Sequence, residues 1–387
     1  MKKIKIGFFI DSYFPTVDGV VMVVDNYAKR LSKKCEVVVV CPSYGLKDRS
    51  KKFDYKVIRV KSLKIPLTAY TYGIPKIDIN ILKKLVNEKF DIIHIHSPFS
   101  LGKLGVDVAR MSNIPVIGSM HTLMKFELYK YTKSHAITDF ITDQAIKVYE
   151  QCDQCFSVNK KIGEIYKEYG YSREVGIFQN ATDFNLIEDM KTSNKEINKL
   201  YNIDPEDTVF LFVGRITSVK NIMFIVDVLK ILKDKKTSFK MLFVGEGPDK
   251  KKLIRKIRKL DLDNYVIMCG HIGDRDLLAK IYRRAKLFVF PSLFDTNSLV
   301  QIEASSQKTP TIFIEKAPTA FLVTGEVNGF FGKNNPKKFA EKIIEILDDE
   351  KHYNEVSENS YRDLYKTWDN VTNEVYQIYL DMIKKSK

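Results

Sequence analysis

The feature that most constrains this chain is a series of short apolar runs, each followed by a longer stretch of helical period, that completes once and then begins again. Runs at 4–10, 36–41, 56–60, 92–96, 115–120, 154–158 and 175–178 are rich in Val and Ile with few interruptions. That is the composition of strands buried on both faces of a parallel sheet. Helical periodicity fills the gaps at 20–32, 79–88, 102–111, 137–152 and 160–169. After a polar stretch at 191–196, strand-like runs return at 208–213, 240–244, 265–269, 286–290 and 311–314. Helices are expected between and after them at 222–233, 249–260, 274–285, 298–306 and 336–348. Strand and helix alternating in this way build doubly wound α/β layers, so the sequence predicts two Rossmann-like domains, residues 1–190 and 200–365. Two more helical patterns follow, 352–367 and 371–384, with Trp368 between them. Ligands of such sheets bind beyond the carboxyl ends of the strands, which puts the expected active site in a cleft between two facing domains.

The length of 387 residues fits two cores better than one. No apolar run reaches the ~18 residues that cross a bilayer, and the first ten residues form no signal-peptide core, so a cytoplasmic location is expected. The five cysteines, at 35, 41, 152, 155 and 269, show no repeated framework and argue against disulfides. Cys152-Asp153-Gln154-Cys155 has a CxxC spacing with no second CxxC, and buried small residues entering a strand are favoured there over zinc or redox chemistry. The net charge of +15 suits an anionic membrane surface or a coat of solvated lysines. Nucleic acid is disfavoured, because no zinc-finger spacing, RNP-like strand or Arg-rich arm accompanies the charge.

Two cations and two carboxylates stand at the mouths of predicted strand-to-helix turns. Arg215 and Lys220 follow the run at 208–213; Asp295 and Glu303 follow the run at 286–290. Arg and Lys oppose phosphates, and carboxylates accept from the vicinal hydroxyls of a ribose or hexose, so the set fits a nucleotide diphosphate-sugar. Singly, each has a plainer reading as a surface cation or a helix cap. His94, His96 and His121 fall at strand ends, as satisfied core groups or as ligands. Gly245-Glu246-Gly247-Pro248 reads either as a tight turn or as a close approach to a ligand. The lysines and arginines crowding 250–259 read as a solvated helix face.

Taken in order along nearly the whole chain, these residues resemble the retaining family 4 glycosyltransferases, whose two-Rossmann architecture is called GT-B. The family's Gly-Arg…Lys pattern matches Gly214, Arg215 and Lys220, which implies a basic pair on the donor diphosphate. Its Glu-x7-Glu motif falls on Asp295 and Glu303, with Asp in place of the first Glu. The resemblance implies a sugar contact at Asp295, a ribose contact at Glu303, and backbone N–H groups of Asn297, Ser298 and Leu299 at a helix N-terminus facing the phosphates. Pro15-Thr16-Val17-Asp18-Gly19-Val20 resembles the first-strand loop, with Gly19 at the donor. Asp91-Ile92-Ile93-His94-Ile95-His96-Ser97-Pro98 resembles a strand that lines the cleft. Ser119-Met120-His121-Thr122 resembles the strand end whose His approaches the hexose. His271, after Gly270, takes the place where main chain meets the nucleotide base, and Gly245 the place of a donor-side turn. Gln179-Asn180-Ala181-Thr182-Asp183-Phe184 is similar to an Asn-Gly-x-Asp turn before the linker, with Ala181 for Gly. Trp368-Asp369 fits the start of a crossing helix, 369–387, that returns to the first domain.

The resemblance implies transfer of a hexose from a nucleotide diphosphate-sugar, with UDP-glucose the first donor to test, to a lipid or glycan hydroxyl. Arg215, Lys220 and the helix N-terminus would take up charge on the leaving diphosphate, and closure would bring Gly19 and His121 onto the donor. No cofactor and no metal are expected. The Asp-x-Asp string Asp261-Leu262-Asp263 lies in a helix-to-strand loop far in sequence from the other motifs. For the acceptor, Lys61, Lys64, Lys76, Lys83 and Lys84 interleave with Leu63, Ile65, Leu67, Tyr70, Tyr72 and Ile74 as a membrane-facing edge, peripheral on the inner face. Soluble acceptors stay open, as do a two-Rossmann sugar-nucleotide epimerase and a catalytically silent binding protein.

Overall fold

The computed structural model describes residues 3–65, 71–293, 295 and 298–386. The chain forms two compact units. One comprises Met1–Asn180 with Trp368–Lys387, the other Ala181–Thr367.

The first unit is built on a seven-stranded parallel sheet. Its strands are β1 (Lys5–Phe9), β2 (Glu36–Pro42), β3 (Lys56–Val60), β6 (Ile92–Ile95), β7 (Val116–Met120), β8 (Gln154–Ser157) and β9 (Val175–Ile177), in the order β3-β2-β1-β6-β7-β8-β9. Central β6 and β7 are buried at every position, so each Ile, Val or Met there contributes ~1.5–3 kcal/mol by leaving water. A short antiparallel hairpin, β4 (Ser62–Lys64) with β5 (Thr71–Gly73), follows β3. The helices are α1 (Gly19–Leu31), α2 (Ile81–Val86), α3 (Ser100–Ser112), α4 (Met124–Thr132), α5 (His135–Glu150) and α6 (Lys160–Glu168). Asp18 caps α1 through the Val21 N–H at 2.9 Å, and Ser134 and Asn159 cap α5 and α6. The CxxC cysteines are buried and free. They crowd Gly118 of β7, where a Cβ would lie 2.9 Å from the Cys155 sulfur and 3.2 Å from that of Cys152.

The second unit has α7 (Met190–Tyr201), then β10 (Thr208–Val213), α8 (Ile222–Asp234), β11 (Phe239–Val244), α9 (Lys250–Lys259), β12 (Val266–Gly270) and α10 (Arg275–Arg284). It continues with β13 (Leu287–Phe290), α11 (Leu299–Ser306), β14 (Thr311–Ile314), β15 (Phe330–Gly332), α12 (Pro336–Asp348) and α13 (Glu350–Leu364). The sheet is parallel, ordered β12-β11-β10-β13-β14-β15. Phe210, Phe212, Phe239 and Phe243, all fully buried, fill its centre. On α9 only Leu253 and Ile257 are buried, and the basic residues around them are a surface face.

The chain ends in α14 (Trp368–Lys385), which packs on α1 within the first unit. Trp368 meets Tyr27 edge-on at 5.9 Å between ring centroids, and Arg30 Nε donates to Asp369 at 2.9 Å. Trp368 is thus the first residue of the last helix rather than a spacer before it.

The polar stretch at 191–196, expected as a linker, is part of α7. Asp189 accepts from the Thr192 N–H, Ser193 and Ile197 turn inward, and Arg284 of α10 donates to Asn198 at 2.6 Å. Because α7 packs on α10, the residues from Ala181 onward belong to the second unit, and the first unit ends at Asn180 rather than at residue 190.

Candidate active site

In the second unit the loops after β10, β11 and β12 lie against one another. Gly214 has φ +153° and Gly245 φ +134°, and a Cβ on Gly245 would stand 2.0 Å from the Gly214 carbonyl oxygen. A Cβ on Gly247 would be 2.2 Å from the carbonyl oxygen of Ile216. Gly245 N–H donates to the Gly270 carbonyl at 2.7 Å. Backbone packing therefore requires glycine at both positions of Gly245-Glu246-Gly247, which is the tight-turn reading of that motif.

The β10 loop carries the two cations differently. Arg215 is exposed and pairs with no carboxylate among the described residues. Lys220 ends the 3-10 turn Ser218–Lys220, which closes on Asn221 at φ 57°. Its Nζ lies 2.5 Å from both carboxylate oxygens of Asp295. Ser292 Oγ donates to Asp295 Oδ2 at 2.7 Å, and Asn221 Nδ2 donates to the Pro291 carbonyl at 3.3 Å. These bonds tie the loop after β10 to the loop after β13. Ser298 and Leu299 open α11, and Ser298 makes no side-chain cap bond. Asn297 lies outside the described residues.

Glu303, one turn into α11, is buried. Arg275 Nη1 stands 2.9 Å from its Oε1, and the Tyr282 hydroxyl donates to Oε2 at 3.1 Å. Burial pushes the Glu303 carboxyl up, while Arg275 and the bond from Tyr282 pull it back and Asp183 opposes them. Tyr282, fully buried beside this carboxylate, has its phenol raised further and stays a donor. His271 is exposed in the loop after β12.

In the first unit, His96 and His121 come directly after the carboxyl ends of β6 and β7, and Gly19 opens α1, the helix that follows β1; the three strands are neighbours in the sheet. No atom would contact a Cβ on Gly19 within 4 Å, so packing gives no reason for glycine there. His96 Nδ1 is 3.1 Å from His121 Nε2, and the two rings stack at 5.3 Å. His94 is locked between the Tyr379 hydroxyl, 2.6 Å from Nδ1, and Ser119 Oγ, 2.7 Å from Nε2. Burial holds His94 and His96 well below the usual imidazole range and His121 down to about 4. All three rings are therefore neutral near pH 7. Asp11, past β1, accepts from Ser97 Oγ at 2.6 Å, Ser100 Oγ at 3.0 Å and Leu101 N–H at 2.9 Å.

Residues 17–186 match the model described as Glycosyltransferase Family 4, and residues 193–363 the model described as Glycosyl transferases group 1. The chain belongs to glycosyltransferase family 4. Among curated relatives, this family 4 glycosyltransferase is 24% identical to the alpha-monoglucosyldiacylglycerol synthase of Acholeplasma laidlawii, over 99% of this chain and 98% of that one. It is 23% identical to the GDP-mannose-dependent alpha-mannosyltransferase of Corynebacterium glutamicum, over 100% and 91%. Among solved structures, the Anabaena protein HepE in complex with UDP superposes with a TM-score of 0.79 at 14% identity, covering 98% of this chain and 100% of that one. The fold is GT-B. The enzyme transfers a glycosyl group from a nucleotide sugar.

Within this glycosyltransferase, the structure brings Lys220 and Asp295 into contact and sets Gly214 against Gly245. It keeps Arg215 and His271 exposed. It buries His94 as a two-bond core group. Sequence reasoning missed Arg275, the partner of Glu303. An arginine at the start of a surface helix points to no particular partner, and that partner is 28 residues further on. Among the described residues no cluster of three His, Cys, Asp or Glu side chains is arranged to hold a metal ion.

Proposed function

We propose that this enzyme moves glucose from UDP-glucose, with retention at the anomeric carbon, to a hydroxyl of a membrane lipid of the diacylglycerol type. The observation that carries the donor half is the Lys220–Asp295 pair, flanked by exposed Arg215 and the open N-terminus of α11. An ammonium has three donors. Lys220 can keep one on Asp295 and turn the others to a diphosphate oxygen, which holds a cation beside a hydroxyl acceptor where phosphate meets sugar. Arg215 and the α11 N–H groups, including that of Leu299, would meet the remaining phosphate charge. Glu303 would accept from the ribose, and the main chain at Gly270 and His271 would face the base. As the bond from C1 to the diphosphate oxygen breaks, a bond from C1 to the acceptor oxygen forms on the same face. The acceptor proton passes to the departing oxygen. Arg215 and Lys220 supply the positive charge this needs, and no metal is required. Gly19 leaves room for a donor to approach the start of α1, and neutral His121 would hydrogen-bond a sugar hydroxyl.

For the acceptor, the hairpin β4–β5 and the segment running to α2 expose Leu63, Tyr72, Ile77 and Ile79, the last at 90%. Lys61, Lys64, Lys76, Lys83 and Lys84 are exposed among them. Leu67 and Tyr70 of this edge lie outside the described residues. Apolar side chains ringed by lysines suit the interface of an anionic bilayer, and no helix among the described residues is long and apolar enough to cross one. The relatives named alpha-monoglucosyldiacylglycerol synthase, 24–25% identical over nearly the whole chain, supply the class of acceptor to test. The deciding assay incubates the enzyme with radiolabelled UDP-glucose and mixed anionic vesicles containing diacylglycerol, with and without EDTA. Labelled α-glucosyl lipid in both samples is expected. Loss of product in EDTA would reject metal independence, and a β-linked product would reject retention.

A further inference from the structure

We infer that Arg275 is a positioning residue for the donor, holding Glu303 as a carboxylate so that it can accept from both hydroxyls of a ribose. This rests on the reading of Glu303 as the ribose contact. The geometry is specific. Glu303 is buried in α11, and its two oxygens are addressed by separate turns of the same helix: Oε1 by Arg275 from the first turn of α10, Oε2 by Tyr282 two turns further along α10. The Arg275 guanidinium is itself held, with its centre 3.9 Å from the centroid of the buried Phe184 ring. Phe184 is fixed in turn by the Tyr365 hydroxyl, which donates to its carbonyl at 2.8 Å. Half of the Arg275 side chain remains open to solvent.

Each carboxylate oxygen has two acceptor directions. Arg275 and Tyr282 use one on each oxygen and leave one on each, the arrangement that two vicinal hydroxyls need. A protonated carboxyl loses one of these acceptors and gains a donor. The charged and titratable groups facing Glu303 are Arg275 and Tyr282 from α10, and Asp183 from the segment that carries Phe184. Of these Arg275 is the one cation. Tyr282 bonds but brings no charge, and Asp183 disfavours the carboxylate. Removing Arg275 therefore leaves burial and Asp183 unopposed by any positive group named above, and the carboxyl takes up a proton at higher pH.

Titration calorimetry with UDP-glucose tests this, because its diphosphate is a diester on both sides and does not titrate near neutrality. Wild type is expected to bind within about twofold from pH 8 to pH 6. Arg275→Ala should bind close to wild type at pH 8 and lose affinity, by about tenfold, toward pH 6 as the carboxyl takes up its proton earlier. Arg275→Lys should restore most of the flat profile. Glu303→Gln should bind weakly and without pH dependence, and Arg275→Ala/Glu303→Gln should match it. If Arg275→Ala is equally weakened at every pH, or not weakened at all, the positioning role is wrong. If Glu303→Gln binds like wild type, the reading of Glu303 as the ribose contact fails first, and the two failures are told apart.

Discussion

The Nζ of Lys220 sits 2.5 Å from both carboxylate oxygens of Asp295, so the cation and the carboxylate expected to serve opposite ends of a donor sugar are bonded directly to each other. The two act as a unit, and their effects should not add. Lys220→Ala is expected to lower turnover by about 10²-fold or more. Introducing Asp295→Asn on top of Lys220→Ala should cost less than Asp295→Asn alone, with a coupling of ~1–3 kcal/mol. UDP release measured at saturating UDP-glucose gives the cycle, and simple additivity would show that the contact carries no function.

Gly245 should be irreplaceable for stability rather than for chemistry. Its φ of +134° and the 2.0 Å that would separate an added Cβ from the Gly214 oxygen mean that Gly245→Ala must push two loops apart. A loss of ~2–4 kcal/mol is expected, read as a lowered denaturant midpoint. A variant as stable as wild type would place the loops differently.

Stability should fall in mild acid through the histidine cluster. His94, His96 and His121 are held below their unfolded values by burial. Between pH ~6.5 and ~4 the unfolded chain therefore binds more protons, and their contribution, complete above pH ~6.5, is lost as pH falls. The melting temperature should drop across that window. His96→Phe should flatten the drop, since it removes one of the three buried imidazoles; it gives up the Nδ1 contact with His121, while Nε2 has no partner among the described residues. An unchanged slope would assign the acid sensitivity elsewhere.

Binding to vesicles should follow the lysine edge. Lys83→Glu with Lys84→Glu reverses two exposed charges and should weaken sedimentation with anionic vesicles at least about tenfold, at ~1 kcal/mol for each lysine near the surface. Binding to neutral vesicles should change little, and the anionic component should fade with salt. Equal binding by the variant would move the membrane contact to another face.

The sheet cores were the most legible part of the chain. β10 and β14 fall where periodicity put them, because a strand buried on both faces leaves an uninterrupted apolar run; β3 and α12 match through the alternating burial of an edge strand and the period of a one-sided helix. The misses have the opposite character. α7 turns only Ser193 and Ile197 inward and so looks like a polar linker; α4 buries only Met124; β15 is three residues long. At the site, Lys220, Asp295 and Glu303 were visible as charges at strand-to-helix turns. Which charge neutralises which was not, since the partners lie 75 and 28 residues apart. The Asp at 295 gains a meaning that its sequence alone lacked: its short side chain chelates the ammonium of Lys220.

Because the last helix belongs to the first unit, that unit is discontinuous in the chain while the second is a single uninterrupted stretch, Ala181–Thr367. A ribosome therefore delivers the second unit whole, whereas the first must wait for its final residues. Until α14 emerges, Tyr27 lacks Trp368 and the inner nitrogen of His94 lacks the Tyr379 hydroxyl. The half completed last is the one synthesised first, and a nascent chain stalled near residue 367 should present chaperones with an open flank on α1.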